Sequence, residues 1–135
     1  MSCVFCAFRD GALPAVRVDE SVRAFAVMDI HPLNDGHVLV VPKAHVESLF
    51  EIPEADLLAV TEFAQRVAVA IRSALHPPGL HLLQNNGRAA CQSVPHFHLH
   101  LIPRWQNDGK GFDWELIPGD PARLRALAER IRAAL

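Results

Sequence analysis

The segment Pro95–Pro103, with the sequence PHFHLHLIP, alternates polar and apolar side chains strictly. Such alternation is typical of a half-buried β-strand, because successive side chains of a strand point to opposite faces. The pattern predicts a strand that ends at the two prolines, with imidazoles spaced about 7 Å apart along one face. That face carries His96, His98 and His100, and the opposite, core-facing side carries Phe97, Leu99 and Leu101.

The row of imidazoles has three interpretations. The first is an exposed strand face that is rich in histidine, although lysine, glutamate or threonine would serve there equally well. The second is a metal site formed by all three rings, but neighbours on a flat strand lie along a line rather than around an ion. In the third, which we favour, His98 is a neutral nucleophile toward phosphorus, and its neighbours orient it or donate to phosphate oxygens.

Other apolar runs predict further strands of the same domain. The runs at 15–18 and 22–28, separated by Asp19-Glu20-Ser21, predict an early hairpin. Val38–Val41 is continuously apolar and mostly β-branched, which predicts a buried strand with His37 at its entrance. Residues 80–84 predict a weaker strand that ends at the turn signal Asn85-Asn86-Gly87.

Two segments have a helical period. The first is expected to begin with Pro53 at its first position and to stop at Pro77-Pro78-Gly79. Its apolar stripe is formed by Leu57, Val60, Ala64, Val67, Ile71 and Leu75. The second follows Asp120, a predicted N-cap, with Pro121 after it. Since the 135 residues also suffice for a core without disulfide bonds, the sequence predicts one antiparallel-dominated α+β domain.

Charge and composition narrow the classes of partner. Thirteen Lys and Arg against fifteen Asp and Glu give a net charge of −2, so there is no basic excess for binding nucleic acid. A small anionic ligand is compatible, because its site needs only local donors. The sequence has neither a signal-peptide pattern nor an apolar stretch of membrane-spanning length, so we expect a cytoplasmic protein without membrane association.

The segment HFHLHLI resembles the signature of the histidine triad (HIT) family, in which three histidines alternate with apolar residues. The resemblance extends to GHVLVVPKAH at 36–45, NNGRAACQSV at 85–94 and DIHP at 29–32. It covers residues 2 to about 106 and leaves 107–135 as a C-terminal extension of a single domain, 1–135. It implies a HIT-like fold, with an antiparallel-dominated sheet of about five strands, one long helix and a C-terminal helix.

The resemblance also implies a nucleotide-binding enzyme that cleaves an α-phosphate linkage through a nucleotidyl-histidine intermediate. Its substrates would be nucleoside phosphoramidates, dinucleoside polyphosphates or nucleotidyl sugars, with a purine nucleotide expected, and no organic cofactor. By position, His98 is the nucleophile, His100 contacts the reacting phosphate or leaving group, and His37 completes the polar surround. The family usually forms homodimers. The alternative is a zinc-stabilised nucleotide-binding scaffold with vestigial activity.

Four further residues correspond to nucleotide contacts of the family. Asp29 matches the residue that accepts the ribose hydroxyls, while Asn85, Gln92 and Ser93 match contacts to the phosphate and leaving group. Each also has an ordinary structural explanation: Asp29 could cap the turn before Pro32, Asn85 could be a turn residue, and the other two could be polar loop residues.

Cys3 and Cys6 form a Cys-x₂-Cys pair that suits zinc, a redox dithiol or two buried thiols. A redox motif needs a thioredoxin-like context with a helix immediately downstream, and the sequence leads us to expect no helix there. The resemblance implies a structural zinc ion held by Cys3, Cys6, His45 and His96, a closed Cys₂His₂ set.

Cys91 departs from the family pattern, because many members have glycine at this position. If the loop requires a positive φ there, a cysteine costs about 1 kcal/mol or more in backbone strain. A cysteine could also crowd the phosphate loop or provide an oxidisable thiol, and this departure is the feature that favours the scaffold alternative.

Overall fold

The computed structural model describes residues 3–135 and contains five strands and three α-helices. The strands are β1 (Arg17–Glu20), β2 (Ala24–Met28), β3 (Val38–Pro42), β4 (Gly79–Leu83) and β5 (Leu99–Arg104). The helices are α1 (Val4–Arg9), α2 (Glu54–Leu75) and α3 (Pro121–Ala133). All strand pairs are antiparallel, in the order β1-β2-β3-β5-β4. The structure confirms the predicted α+β fold, with five strands, one long helix and a C-terminal helix.

The middle of the sheet is buried on both faces. On one face, α2 packs against alternate residues of β2, β3 and β5, including Ala26, Val40 and Leu101. On the other face, Phe25, Val27, Leu39 and Val41 form a second apolar cluster with Phe5 of α1. Leu99 and Leu101 face α2, so His100 between them projects toward the face that α1 covers.

The helix α2 follows the predicted apolar period. Its buried residues are Val60, Phe63, Ala64, Val67 and Ile71. The predicted Pro53 start is displaced by one position, because Pro53 is the extended N-cap residue rather than the first helical residue. The helix ends in a left-handed His76, after which the two prolines prevent its continuation.

The early hairpin is confirmed, but its turn lies further along the chain than predicted. Asp19 and Glu20 belong to β1, and the turn is at 21–23, where the Ser21 hydroxyl accepts the Ala24 N–H at 3.1 Å. β1 includes these polar residues because it is an exposed edge strand, so its side chains need not form an apolar face.

The histidine strand differs from its prediction at both ends. It begins at Leu99 rather than Pro95, and it continues through Pro103, which pairs with Leu80. His96 and His98 are therefore in the extended segment that leads into β5. The imidazole-bearing face is also not exposed: His96 is 0% and His98 4% exposed, because α1 covers this side of the sheet.

The expectation that no helix follows Cys3 is wrong. α1 begins at Val4, directly after Cys3, although no βαβ unit surrounds it in the described part of the chain. At the other end of the chain, Asp120 caps α3 as predicted, accepting the Arg123 N–H at 3.1 Å. Among residues 3–135, no helix combines the length and the apolar character needed to cross a lipid bilayer.

Candidate active site and metal cluster

The imidazole of His98 is held by a hydrogen bond to the backbone two residues before it. Its Nδ1–H donates to the His96 carbonyl oxygen at 2.7 Å. A neutral imidazole has one protonated and one unprotonated nitrogen, so Nε2 of His98 carries the free lone pair. The ring contacts Phe5, at 5.0 Å between centroids, and His100, at 4.9 Å. The fold therefore presents one buried nucleophilic nitrogen in a fixed orientation.

A second chain of hydrogen bonds fixes the protons of His37 and His100. The backbone N–H of Leu33 donates to His37 Nδ1 at 3.0 Å, so the proton of a neutral His37 is on Nε2. His37 Nε2–H then donates to His100 Nδ1 at 2.9 Å. As a result, His100 carries its proton on Nε2, where it can donate to a bound oxyanion.

Asp29 lies beside this pair and also closes a turn. Its Oδ2 is 3.4 Å from His37 Nε2, while its Oδ1 accepts the His31 N–H at 2.8 Å. The turn-capping role considered from the sequence is therefore present together with proximity to the histidines. Asp29, His37 and His100 do not suit a metal ion, because the protonated Nε2 of His37 has no lone pair for it.

Burial keeps the three imidazoles neutral at neutral pH. It lowers the pKa of His100 to about 4, and the neighbouring His98 and His37 add to this effect by charge repulsion. Burial also lowers the pKa values of His98 and His37. The hydrogen bond to the His96 carbonyl opposes this shift at His98, and the Asp29 carboxylate opposes it at His37. A neutral His98 is the form that can attack an electrophile.

Cys3, Cys6, His45 and His96 come together in a second cluster, next to the histidine pair. Their ligand atoms all lie within 4.8 Å of one another. His96 Nε2–H donates to the Pro42 carbonyl at 2.8 Å, so its Nδ1 lone pair faces the thiols. That Nδ1 is 3.4 Å from Cys3 Sγ, 3.8 Å from Cys6 Sγ and 3.0 Å from His45 Nδ1.

These distances are within about 0.3 Å of those expected around a tetrahedral zinc ion. Zn–S bonds of about 2.3 Å and Zn–N bonds of about 2.0 Å place neighbouring ligand atoms about 3.3 to 3.8 Å apart. Burial and the adjacent Cys3 raise the pKa of the Cys6 thiol, since two thiolates side by side repel each other without a cation between them. The donor set and its spacing therefore suit a structural ion, with the Pro42 carbonyl fixing the tautomer of His96.

The loop between β4 and β5 contains the remaining predicted residues, and Gln92 is engaged in hydrogen bonds within the loop and to Glu47. Gln92 accepts the Gly87 N–H at 2.7 Å and donates to the carbonyls of Glu47, at 2.7 Å, and Val94, at 3.1 Å. Asn85 is half-buried, with its amide 3.5 Å from the Cys91 carbonyl, and Ser93 is exposed. The structure thus shows Gln92 bracing the loop, and the phosphate contacts of these three residues stay predictions.

Cys91 adopts the conformation that its glycine-like position suggested. Its φ is 65° and its ψ is 28°, in the left-handed region. The thiol is exposed, and the residue ends the 3₁₀ turn Arg88–Ala90. The positive φ is the condition under which we expect backbone strain at this residue, so we expect that strain here.

The family model for the HIT domain matches residues 10–107 of this sequence. This chain belongs to the HIT family. The match begins after the cysteine pair and ends shortly after β5, so it includes all three alternating histidines, His37 and His45.

Relatives resemble this HIT protein over nearly its whole length. It is 35% identical to adenosine 5′-monophosphoramidase hnt1 of Schizosaccharomyces pombe, over 100% of this chain and 99% of that protein. A crystal structure of a HIT family protein from Bacillus subtilis matches with a TM-score of 0.93 and 35% identity, covering 100% and 98% of the two chains. A zinc-bound histidine triad family protein from Mycobacterium smegmatis matches with a TM-score of 0.78 and 37% identity, covering 100% and 99%.

Sequence reasoning missed three contributors to the site of this HIT protein. Phe5 packs on His98, the Leu33 N–H sets the tautomer of His37, and the Pro42 carbonyl sets that of His96. The last two act through backbone atoms, which leave no residue-type signal in the sequence. Phe5 does have a signal, since it is the one aromatic residue inside the Cys-x₂-Cys pair.

Proposed function

We propose that this HIT protein is a nucleotidyl hydrolase or transferase that cleaves an α-phosphate linkage through a nucleotidyl-His98 intermediate. The observation that carries the proposal is the free Nε2 lone pair of a neutral, buried His98, whose Nδ1 proton is held by the His96 carbonyl. Among substrate classes, nucleoside phosphoramidates are favoured by the activity in the name of the fission yeast relative. Dinucleoside polyphosphates and nucleotidyl sugars are the other candidates.

In the proposed first step, His98 Nε2 attacks the α-phosphorus and the P–N bond to the leaving amine breaks. The amine nitrogen takes up a proton from water as it departs. The Nε2–H of His100 donates to a phosphate oxygen, where negative charge is concentrated in the transition state. Because the tautomers are preset, no proton has to move among the histidines before attack.

In the proposed second step, water attacks the phosphorus and the electron pair of the P–N bond returns to His98 Nε2. The proton released by water balances the one that the amine consumed. We assign Asp29 to the recognition of the ribose hydroxyls. Its Oδ2 can accept hydrogen bonds from them while Oδ1 keeps its hydrogen bond from the His31 N–H. Asn85, Gln92 and Ser93 are assigned to the phosphate and leaving group.

The test is a reaction with adenosine 5′-phosphoramidate, quenched within one turnover and analysed by intact-protein mass spectrometry. The expected result is an adduct of the mass of a nucleotidyl group, with release of the amine. His98→Asn should abolish the adduct and lower kcat at least about 1000-fold, since the bond-forming atom is removed. His76→Asn is the matched control, because His76 is an exposed helix-capping residue.

Nucleotide binding without an adduct would contradict this proposal and support the scaffold alternative. The specific observation in favour of that alternative is the strained Cys91 at the end of the loop turn, where it could displace the phosphate donors. Unchanged turnover in His98→Asn would reject the nucleophile assignment itself.

We further propose that Cys3, Cys6, His45 and His96 hold one structural zinc ion, which would tie α1 to the sheet. Support comes from the ligand spacing and from the zinc-bound relative of Mycobacterium smegmatis. Metal analysis of the purified protein should find about one zinc per chain. A Cys3→Ala/Cys6→Ala variant should contain none, and Cys91→Ala should retain it; zinc remaining in the double variant would place the ion elsewhere.

We also propose that the protein is a homodimer, joined across β4 and the exposed side of α2. Within residues 3–135, β4 pairs only with β5, so its other edge is open. Leu82 and Val69, on these two elements, are 57% and 49% exposed. An open edge beside exposed apolar side chains is a surface that a second copy can cover.

A further inference from the structure

Phe5 links the metal cluster to the nucleophile. It lies between Cys3 and Cys6 in the sequence and is 3% exposed. Its ring meets the His98 ring at 5.0 Å between centroids and 64° between planes, and the His96 ring at 5.7 Å and 86°. Both are edge-to-face contacts, the favourable arrangement for aromatic rings at this separation.

The His98 ring has three contacts that define its plane. The His96 carbonyl holds Nδ1, His100 lies on one side at 4.9 Å, and Phe5 lies on another. The carbonyl alone leaves the ring free to swing about that hydrogen bond, because one contact at one atom does not fix a plane. Phe5 adds a second aromatic contact to the ring, edge-to-face at 5.0 Å, and so restricts the swing that would displace the Nε2 atom.

We propose that Phe5 is a positioning residue that holds the His98 imidazole in its attacking orientation, and that Cys3 and Cys6 place Phe5. The inference rests on the proposed function, in which His98 is the nucleophile. α1 has only six residues, too few to be stable alone. Its location therefore depends on tertiary contacts: Phe5 packs in the apolar cluster, Arg9 donates to the Lys43 carbonyl at 2.7 Å, and Cys3 and Cys6 contact His96 and His45 at 3.4 Å. The cluster thus acts on catalysis through an apolar side chain.

A purely structural role for Phe5 is the competing explanation, because the ring also belongs to the apolar cluster of Phe25, Val27, Leu39 and Val41. Phe8 separates the two roles. It is on the same helix, packs on the same cluster and touches Phe5 at 6.1 Å, but among the described residues it has no aromatic contact with the histidines. Phe8→Ala is therefore the matched control for Phe5→Ala.

The experiment measures kcat, KM, zinc content and the single-turnover rate of adduct formation with adenosine 5′-phosphoramidate. For Phe5→Ala we expect kcat and the adduct rate to fall about 10- to 100-fold, since small displacements of reacting groups cost this much. KM should stay within about threefold and zinc content unchanged, because the nucleotide and metal ligands remain. Phe5→Leu, which refills the space, should restore most of the rate, and Phe8→Ala should leave it within about twofold.

A second readout follows the His98 ring directly. In ¹³C,¹⁵N-histidine-labelled protein, nuclear Overhauser cross-peaks between the His98 and His100 ring protons report the orientation of the His98 ring. They should be present in the wild type, where the ring centroids are 4.9 Å apart, and weaken in Phe5→Ala as the ring turns. If Phe5→Ala does not fold, Phe5→Val replaces it in both measurements. Unchanged cross-peaks and a kcat within twofold of wild type would overturn the positioning role, as would an equal loss in Phe8→Ala.

Zinc removal tests the placement of Phe5 by the cysteines. A chelator should slow adduct formation in the wild type, but add less than about a twofold loss in Phe5→Ala, since both changes remove the same constraint. If the chelator slows adduct formation by the same factor in Phe5→Ala as in the wild type, Cys3 and Cys6 do not place Phe5. The outcomes also separate the two proposals: turnover that survives in His98→Asn refutes the proposed function, whereas loss in His98→Asn without loss in Phe5→Ala refutes only the positioning role.

Discussion

At the scale of single residues, backbone atoms decide which nitrogen of each histidine carries the proton. The Pro42 and His96 carbonyls each accept a hydrogen bond from a ring N–H, and the Leu33 amide N–H donates a hydrogen bond to His37. Burial then keeps the rings neutral, which combines a free lone pair on His98 with a free N–H on His100. The protonation pattern of the histidines is thus set by the folded chain itself.

The first residue-scale prediction concerns pH. The pKa of His100 is about 4 in the folded state, against about 6.5 in the unfolded chain. Between these values the unfolded chain binds more protons, so the free energy of unfolding should rise with pH from about 4 to about 6.5 and level off above. Urea unfolding across this range checks the slope, which should be shallower in His100→Gln; an identical slope would contradict the assignment.

The second residue-scale prediction concerns Cys91. Its left-handed backbone costs about 1 to 2 kcal/mol for a residue with a Cβ, and glycine would remove this cost. About half of the stability gained would be lost again, because glycine makes the unfolded chain more flexible. Cys91→Gly should therefore raise the free energy of unfolding by up to about 1 kcal/mol, measured by urea denaturation. Cys91→Ala keeps the strain and should change it little; equal values for the two variants would remove the strain explanation.

At the scale of elements, long periodic segments could be predicted and short ones could not. The stripe of α2 and the buried run of β3 repeat often enough to identify both elements. α1 has no such repeat, and it is held by contacts to residues about 90 positions away, which no local pattern encodes. The same limit applies to β5, whose start is set by where β3 ceases to pair with it.

The element-scale prediction concerns the turn before β3. Gly36 has a φ of +83°, and a Cβ there would lie 2.5 Å from Leu75 Cδ1 and 3.1 Å from the Pro103 ring. Gly36→Ala should therefore destabilise the protein by about 2 to 4 kcal/mol, from backbone strain and overpacking together.

Gly11→Ala is the control for that variant. Gly11 has a similar φ of +74°, but no atom of the described chain lies within 4 Å of the place that an alanine methyl group would take. Its loss should be only the strain of about 1 to 2 kcal/mol, seen as a smaller shift of the urea midpoint. If both variants lose equally, the Leu75 and Pro103 contacts contribute nothing.

At the scale of the whole molecule, the fold brings together, within each of the two sites, residues that are far apart in the sequence. Cys3 and His96 are 93 positions apart, and His37 and His100 are 63, yet both pairs are in contact. The motif-bearing residues of these clusters could be identified from the sequence, because histidine and cysteine chemistry marks them. Their partners could not, since packing by Phe5 and hydrogen bonds from the backbone follow from the three-dimensional arrangement.

The whole-molecule prediction concerns self-association. Leu82→Glu puts a charge on the open side of β4 and should convert the proposed dimer into a monomer, because a buried unpaired carboxylate is costly. Light scattering after size-exclusion chromatography measures the mass. Val22→Glu, at a 91% exposed position in the β1–β2 turn, should leave it unchanged. A Leu82→Glu protein that keeps the mass of two chains would show that the interface lies elsewhere.

The antiparallel pairing of β3 with β5 has a practical consequence. Pro42, the last residue of β3, supports His96 of the metal cluster through its carbonyl, while His37, directly before β3, supports His100 through a hydrogen bond. Separating the two strands would break both supports in one event. If the proposed zinc ion is bound, a chromogenic dye that reports its release during heating should therefore follow the same time course as inactivation, and would give a simple optical assay for variants that protect the fold.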